Sequence, residues 1–188
     1  MANVDRPNGF RLVKTFSGAP FASVIRSIGV TDGADMFIGD ALNLASGLAA
    51  VGASNDAAFL GVAVGFGKKD TMSQLQAGPF NPANMNKTFY DDSENTHTDW
   101  VVYYVPADDG IFEVQTATAL TKLIGETADL SVATSGSQVT GISGHEITTA
   151  SNADVTVVAI PQYPDNDQTA VWGRYWVMFT RAEQAFHA

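Results

Sequence analysis

The sequence predicts an all-β protein, a β-sandwich or a small β-barrel, with long loops, at most one or two short helices and an extended N-terminal arm. Short runs of β-branched and aromatic residues recur along the 188 residues, separated by Gly, Asp and Pro turn signals. No segment shows the sustained 3.6-residue apolar period of a long amphipathic helix. A chain of this length accommodates one domain, or one domain with an arm.

Residues 1–30 are predicted to form the extended arm. Two prolines and two glycines interrupt any helical period there: Pro7, Gly9, Gly18 and Pro20. Free polar tails seldom carry many aromatic residues. The candidate residues for partner contact in this arm are Phe10, Arg11, Phe16 and Phe21. Two interpretations stay open: a first strand lying on the chain's own core, or an arm that clasps a neighbouring subunit.

Residues 31–188 are predicted to form a single β domain. An Asp-Gly turn at residues 32–33 precedes predicted strands at residues 36–38, 41–44 and 59–66. Gly61 and Gly65 lie inside the third of these strands, and glycine there indicates a bulge, a barrel corner or a close backbone approach.

Residues 68–99 are predicted to form a long surface loop. One short helical turn is predicted at residues 68–76, followed by chain breakers and by a polar run at residues 91–99. Loops of this length in compact domains are usually functional or ordered by a partner.

The clearest strand signals follow this loop. Residues 100–105 are β-branched and aromatic throughout, and residues 111–116 alternate apolar and polar side chains. An Asp-Gly turn at residues 109–110 separates them, so the pair is predicted to form a hairpin.

The C-terminal third combines one helix candidate with further strands. Leu120, Leu123 and Ile124 make residues 117–130 the best short-helix candidate, which Gly125 would end quickly. Residues 131–154 predict weak strands with wide loops. Residues 155–160 and 171–180 are strands that are largely apolar on both faces, which predicts burial in a sandwich or under a partner.

Composition favours a protein that is covered by partners and excludes two kinds of ligand. Charged residues are 16% of the chain, against about 25% in an ordinary globular protein, while apolar residues are 45%. The formal net charge is −10. Binding to nucleic acid or to an anionic membrane needs clustered Lys and Arg, so neither is expected as a partner.

The chain is expected to be soluble and assembled in a reducing cytoplasm. It has no cysteine, which removes disulfides and thiolate metal sites. Asp5, Arg6 and Pro7 interrupt the place where the apolar core of an export signal would begin. The most apolar stretch, residues 57–67, is about half the roughly 20 residues of a membrane helix.

The sequence predicts neither an enzyme nor a cofactor site. Residues 61–68 are glycine-rich and end in Lys, but their spacing departs from both the P-loop and the dinucleotide fingerprint. The three histidines, His97, His145 and His187, have no metal-ligand spacing. His145 next to Glu146 is interpreted as a loop pair. No Gly-x-Ser-x-Gly nucleophile motif occurs.

Two acidic loops are candidates for a hard-cation site or for a pair of catalytic carboxylates. The loops contain Asp91, Asp92 and Glu94, and Asp165 and Asp167. Neither matches the twelve-residue calcium loop. Nothing in their spacing favours sugar hydrolysis, so solvated loops are the better interpretation.

Four segments together resemble head decoration (cement) proteins of tailed bacteriophages. The first is the opening, Met-Ala-Asn-Val-Asp-Arg-Pro-Asn-Gly-Phe, at residues 1–10. The second combines Gly-Asp-Ala-Leu at residues 39–42 with Phe-Leu-Gly-Val-Ala at residues 59–63. The third is Tyr-Val-Pro-Ala-Asp-Asp-Gly-Ile-Phe-Glu-Val-Gln at residues 104–115, and the fourth is Trp-Gly-Arg-Tyr-Trp-Val-Met-Phe at residues 172–179.

The resemblance implies a structural role on a virion. Proteins of this group bind the major capsid protein on the outer surface of the head, usually as homotrimers, and bridge neighbouring capsomers. It also implies that an extended N-terminal arm contacts the shell. Removal of residues 1–21 is then expected to weaken capsid attachment more than it lowers domain stability.

Two other functions remain as alternatives. A virion- or tail-associated carbohydrate-binding module would stack sugars on exposed aromatic rings such as Trp100, Tyr163 or Trp172. A small hydrolase using the acidic loops would need a cleft in which two carboxylates face each other.

Overall fold

The computed structural model describes residues 3–56, 58–68, 87–93, 96–149, 151–180 and 184–185. The helical turn predicted at residues 68–76 and most of the loop predicted at residues 68–99 lie outside these residues. No helix in the described residues is long and apolar enough to cross a membrane.

The described chain is mainly β, which confirms the predicted fold class. One four-residue helix, α1 (Phe21–Val24), and one 3-10 turn, His97–Asp99, accompany the strands. The strands of the first half are β1 (Arg11–Thr15), β2 (Arg26–Gly29), β3 (Met36–Phe37), β4 (Ala41–Ala45), β5 (Leu48–Val51), β6 (Phe59–Lys68) and β7 (Phe89–Tyr90). The strands of the second half are β8 (Trp100–Pro106), β9 (Gly110–Gln115), β10 (Thr127–Ser131), β11 (Glu146–Thr149), β12 (Val155–Ala159) and β13 (Arg174–Phe179).

Two main sheets and one small ribbon contain these strands. The six-stranded sheet has the order β1-β9-β13-β12-β10-β11, and the five-stranded sheet has the order β2-β8-β6-β4-β5. Strands β3 and β7 form the two-stranded ribbon. Neighbouring strands within each sheet are antiparallel.

The five-stranded sheet curls until its two edges meet. Val30, just after β2, forms a parallel bridge with Ala49 of β5, and the Thr31 amide donates to the Ala49 carbonyl at 2.8 Å. Gly61 allows the close approach of β6 to β8, because a Cβ there would lie 2.0 Å from the Val105 carbonyl oxygen. The sheet therefore has an interior as well as a face turned to the other sheet.

Two apolar cores result, and β8 supplies side chains to both. Val101, Tyr103 and Val105 point into the core between the two sheets. Trp100, Val102 and Tyr104 point into the second core, inside the curled sheet. Residues 100–105 are apolar throughout because both faces of this central strand are buried.

The hairpin predicted for residues 100–105 and 111–116 does not form. β8 pairs with β2 and β6 in the five-stranded sheet, while β9 pairs with β1 and β13 in the six-stranded sheet. The short turn between them carries the chain from one sheet to the other. An Asp-Gly turn permits a hairpin, but the partners available on each side decide the pairing.

The last strand is buried on one face only, which corrects the expectation for residues 171–180. Tyr175, Val177 and Phe179 are fully buried, whereas Arg174, Trp176 and Met178 are only partly covered. The predicted helix within residues 117–130 also does not form. Leu123 and Ile124 are 65% and 67% exposed in a turn, and β10 begins at Thr127.

The described part of residues 1–30 belongs to the body of the domain. β1 pairs with β9 in one sheet, and β2 pairs with β8 in the other. The Phe10 ring stacks on Phe179 at 5.5 Å and meets the edge of Phe112 at 6.4 Å. Of the two interpretations, the first strand lying on the chain's own core is the one that fits this segment. Its contact with a neighbouring subunit stays a prediction.

Candidate functional site: the exposed face of the first strand

The structure separates the four residues predicted to contact a partner. Phe10 is 2% exposed and lies in the core between the sheets, so its ring is not available to a partner. Arg11 is exposed, Phe16 is 74% exposed and Phe21 is 47% exposed. Phe10 turns inward because its amide donates to the Gly39 carbonyl at 2.8 Å, which draws the chain onto the domain before β1 begins.

Exposed apolar and basic side chains remain on β1 and the residues after it. The pairing with β9 shifts register between Leu12 and Lys14, so that Val13 is bulged and both it and Lys14 are exposed. β1 is also an edge strand of the six-stranded sheet. We call this surface the N-terminal patch, and its members are Arg11, Val13, Lys14, Phe16 and Phe21.

The turn that presents Phe16 is held firmly by Asp109. The Phe16 amide donates to the Asp109 carbonyl at 2.6 Å. The Ser17 amide and hydroxyl donate to the two carboxylate oxygens of Asp109, each at 2.7 Å. The phenyl ring is therefore presented to solvent from an ordered turn, an arrangement that suits an anchor residue better than a free tail does.

An apolar groove of about 430 Å³ adjoins the patch. Phe21 from α1 and Arg11 from β1 belong to both the groove and the patch. The groove is lined mainly by aliphatic and aromatic side chains, including Leu12, Ile38, Val64 and Ile142. A groove of this character fits one or two apolar side chains of a partner.

The patch lies in the basic part of an acidic chain. Residues 1–30 contain four basic residues, Arg6, Arg11, Lys14 and Arg26, and one acidic residue, Asp5, which gives a charge of +3. The rest of the chain therefore carries a net charge of −13, which together with +3 gives the total of −10. This asymmetry favours a partner surface that is acidic around an apolar centre.

A buried pair, Asp40 and His145, is the strongest catalytic candidate among the described residues. The His145 Nε2 atom lies 3.5 Å from an Asp40 carboxylate oxygen, and its Nδ1 atom accepts a hydrogen bond from the Ala41 amide at 3.1 Å. Ser143 sits beside them, and its hydroxyl accepts from the His145 amide at 2.9 Å. Both ring nitrogens are thus engaged by the protein, which leaves neither available as a general base.

Burial sets the protonation of this pair. It lowers the pKa of His145, against the opposing attraction of Asp40, and it raises the pKa of Asp40, against the opposing attraction of His145. The expected loop pair of His145 and Glu146 does not occur, because Glu146 accepts instead from the Gln115 side chain at 3.0 Å. Sequence reasoning missed the pairing of Asp40 with His145 because the two are far apart in the chain and belong to no local motif.

The described carboxylates of the acidic loops are bonded to the protein's own groups. Asp92 accepts from the Gly33 amide at 2.9 Å, and this bond is the main cause of its lowered pKa. Asp165 pairs with Arg174 at 2.6 Å, and Asp167 accepts from both the amide and the hydroxyl of Thr169. The described residues hold no cluster of three His, Asp or Glu arranged for a metal. Glu94 lies outside these residues.

The aromatic residues proposed for sugar stacking differ in exposure. Trp100 is 3% exposed and cannot stack on a ligand, whereas Tyr163 is 39% exposed. The Tyr163 hydroxyl donates to the Glu113 carboxylate at 2.9 Å, which raises its pKa, and the Trp176 indole donates to the same oxygen at 3.1 Å. The sequence reasoning named Tyr163 but missed Glu113 and Trp176, which the sheet register brings together.

Comparisons with known proteins supply no relative for these arrangements. No family model, no curated protein and no solved structure matches the chain. The function is therefore inferred from the arrangement of this chain's own residues.

Proposed function

We propose that this chain is a non-enzymatic head decoration protein of a tailed bacteriophage. It binds the major capsid protein on the outer surface of the virion, bridges capsomers and associates with itself as a homotrimer. The observation that carries the proposal is the N-terminal patch, in which Phe16 is 74% exposed on a held turn that follows the basic residues Arg11 and Lys14. The resemblance of four sequence segments to this group of proteins supplies the kind of partner.

The chemistry of the patch supports a protein partner. Aromatic residues and Arg are enriched where proteins contact one another, and a buried aromatic anchor supplies much of the binding energy. Arg11 and Lys14 would steer the chain toward an acidic surface. Contacts repeated over many symmetric copies need only be weak individually, because tethering multiplies their effect.

The interior of the domain supports a structural role. Two apolar cores fill the body of the domain, and both ring nitrogens of His145 in the candidate catalytic pair are engaged by the protein. A decoration protein requires a large complementary surface and no reactive group.

Binding to capsids assembled without this protein tests the proposal. We expect the full chain to co-sediment with such capsids and Phe16→Asp to weaken binding at least tenfold, because a carboxylate removes the apolar anchor. Leu123→Asp is the matched control, since Leu123 is 65% exposed and its neighbour Lys122 donates to the Tyr175 hydroxyl. Tyr175 pairs with Val114 near the end of β9, whereas Thr15, next to Phe16, pairs with Gly110 at its start. Absence of binding by the parent chain, or equal binding by Phe16→Asp, would contradict the proposal.

A second candidate function rests on the outer face of the six-stranded sheet. Tyr163, Trp176 and Glu113 form an aromatic and carboxylate cluster there, and the Arg174 guanidinium lies 4.6 Å from the Tyr163 ring centre. Such a cluster favours a sugar, whose C–H face stacks on the ring while its hydroxyls bond the carboxylate. Glycan-array binding that Tyr163→Ala abolishes, without capsid binding, would favour this function.

A further inference from the structure

The N-terminal segment closes over the buried Asp40–His145 pair. The Phe10 amide is bonded to the Gly39 carbonyl, one residue before Asp40. Gly9 lies so close to this turn that a Cβ would sit 2.4 Å from the Gly39 oxygen and 2.5 Å from the Ser143 Cβ. Residues 8–10 therefore pack directly on the turn at Gly39 and on Ser143, both next to the Asp40–His145 pair.

Asp40 holds the turn beneath this segment. One of its carboxylate oxygens accepts from the Phe37 amide at 2.7 Å, and the other faces His145. Ser143 also bonds the carboxylate, while the Ser143 amide donates to the Ile38 carbonyl at 2.8 Å. The loop that carries His145 and the turn that carries Asp40 are thus joined through one network.

The tautomer of His145 follows from its neighbours. Nδ1 accepts from the Ala41 amide, so it carries no proton, and the proton of the neutral ring is on Nε2, facing Asp40. A second proton can be added only at Nδ1. It would turn the acceptor into a donor and set two N–H groups against each other at the start of β4.

We propose that the Asp40–His145 pair is an acid-sensitive latch: protonation of His145 breaks its bond to Ala41 and loosens the attachment of residues 8–10 to the Gly39 turn. A solvent-connected cavity of about 520 Å³ reaches both side chains and provides the path for the proton. The charged groups that line it are Asp35, Asp40 and His145. The carboxylate of Asp35 accepts from the Asp92 amide and from Gln138, and the neighbouring Glu146 is bonded to Gln115.

The direction of the pH dependence follows from the two shifts. Burial lowers the pKa of His145 in the folded chain, so the latch is closed above the ordinary histidine range, about 6.5, and opens as the pH falls below it. Burial raises the pKa of Asp40, so proton uptake there favours the folded form. Proton uptake by Asp40 therefore opposes the opening.

Amide hydrogen exchange of the full chain tests the latch. Between about pH 7.5 and pH 5, the protection factors of the Phe10 and Ala41 amides are expected to fall by up to about tenfold per pH unit, the limit for one proton. His145→Asn retains an acceptor for Ala41 without titrating in this range, and should abolish the fall. His97→Asn, a change at a more exposed histidine, should leave it intact.

A second measurement keeps the proposal testable if His145→Asn fails to fold. Nitrogen-15 NMR of the parent chain at neutral pH should show Nδ1 of His145 unprotonated and Nε2 protonated, and Nδ1 should titrate together with the loss of Phe10 protection. Protection that is independent of pH, or a proton on Nδ1 at neutral pH, would overturn the latch.

Discussion

Phe10 and Phe16 show how little residue type says about role at the scale of single side chains. They flank a short segment that contains Arg11 and Lys14, yet Phe10 is 2% exposed and Phe16 is 74% exposed. Phe10 fills space between Phe112 and Phe179, whereas Phe16 is held outward by the bonds to Asp109. The two rings therefore predict opposite effects on substitution.

Replacing each phenylalanine by alanine separates stability from binding. Phe10→Ala should lower the free energy of unfolding by about 3–5 kcal/mol, because it leaves a cavity in the core. Phe16→Ala should change it by less than about 0.5 kcal/mol, because the ring is exposed. Urea unfolding measures both. Equal losses for the two variants would contradict the core position of Phe10.

Two glycines at positive φ differ in the space around them. Gly61→Ala would bear the strain of a φ of 154° and also place a Cβ 2.0 Å from the Val105 carbonyl oxygen, and we expect a loss of about 3 kcal/mol or more in unfolding free energy. Gly18→Ala meets nothing within 4 Å and bears only the strain of a φ of 73°, worth about 1–2 kcal/mol. Thermal or urea unfolding compares them, and a smaller loss for Gly61→Ala would be inconsistent with the tight β6–β8 approach.

At the scale of elements, one carboxylate ties a loop to the six-stranded sheet. Asp129 in β10 is 3% exposed and accepts hydrogen bonds from the amides of Ser151, Asn152 and Ala153. Burial alone would raise the pKa of Asp129, but these bonds and that of the Ser151 hydroxyl hold it below its ordinary value. The loop between β11 and β12 thus depends on the charge of one side chain.

Asp129→Asn should lower the free energy of unfolding by roughly 3 kcal/mol near neutral pH, since amide donors then face a side-chain amide. A depressed carboxyl pKa stabilises the fold above the ordinary value of about 3.9, and this stability is lost as the pH falls through the folded pKa. The difference between variant and parent should therefore shrink in acid. Urea titrations at several pH values measure it, and a constant difference would contradict this assignment.

At the scale of the whole molecule, one face of the first strand packs on the core and the other face is exposed. Its inner face is part of the core, so removal of residues 1–21 is expected to destabilise the domain as well as to remove the patch. Its outer face carries basic residues on a chain whose remaining part is strongly acidic. Surface substitutions are therefore the appropriate way to examine the patch.

This charge asymmetry predicts salt-sensitive attachment. Raising NaCl from about 0.05 to about 0.5 M should weaken capsid binding, because ions screen exposed charges over a few ångströms at high salt. Lys14→Glu should bind more weakly at low salt and show a smaller dependence on salt. Co-sedimentation over a salt series measures both effects. Binding of the parent chain that does not change with salt would exclude an electrostatic role for the patch.

Local patterning was sufficient to predict the fold class and several of the strands. β6, β8, β9 and β12 lie where β-branched and aromatic runs end at turn residues, because strand preference and turn chemistry are encoded within a few residues. β4 was predicted from a short apolar run after Gly39. β5 and β10 were missed, since their small or mixed residues give little alternation. Three of the five members of the patch, Arg11, Phe16 and Phe21, were also named from the sequence.

The pairing of distant segments was decided only by the folded chain. The Asp109-Gly110 turn permits a hairpin, yet the sheet edges open to β8 and β9 place these strands in different sheets. Likewise, Phe10 turns inward because its amide bonds the Gly39 carbonyl and its ring stacks on Phe179. Asp40 contacts His145 because β4 and the residues before β11 lie side by side. Such contacts depend on packing between residues remote in the chain, about which spacing and composition carry no information.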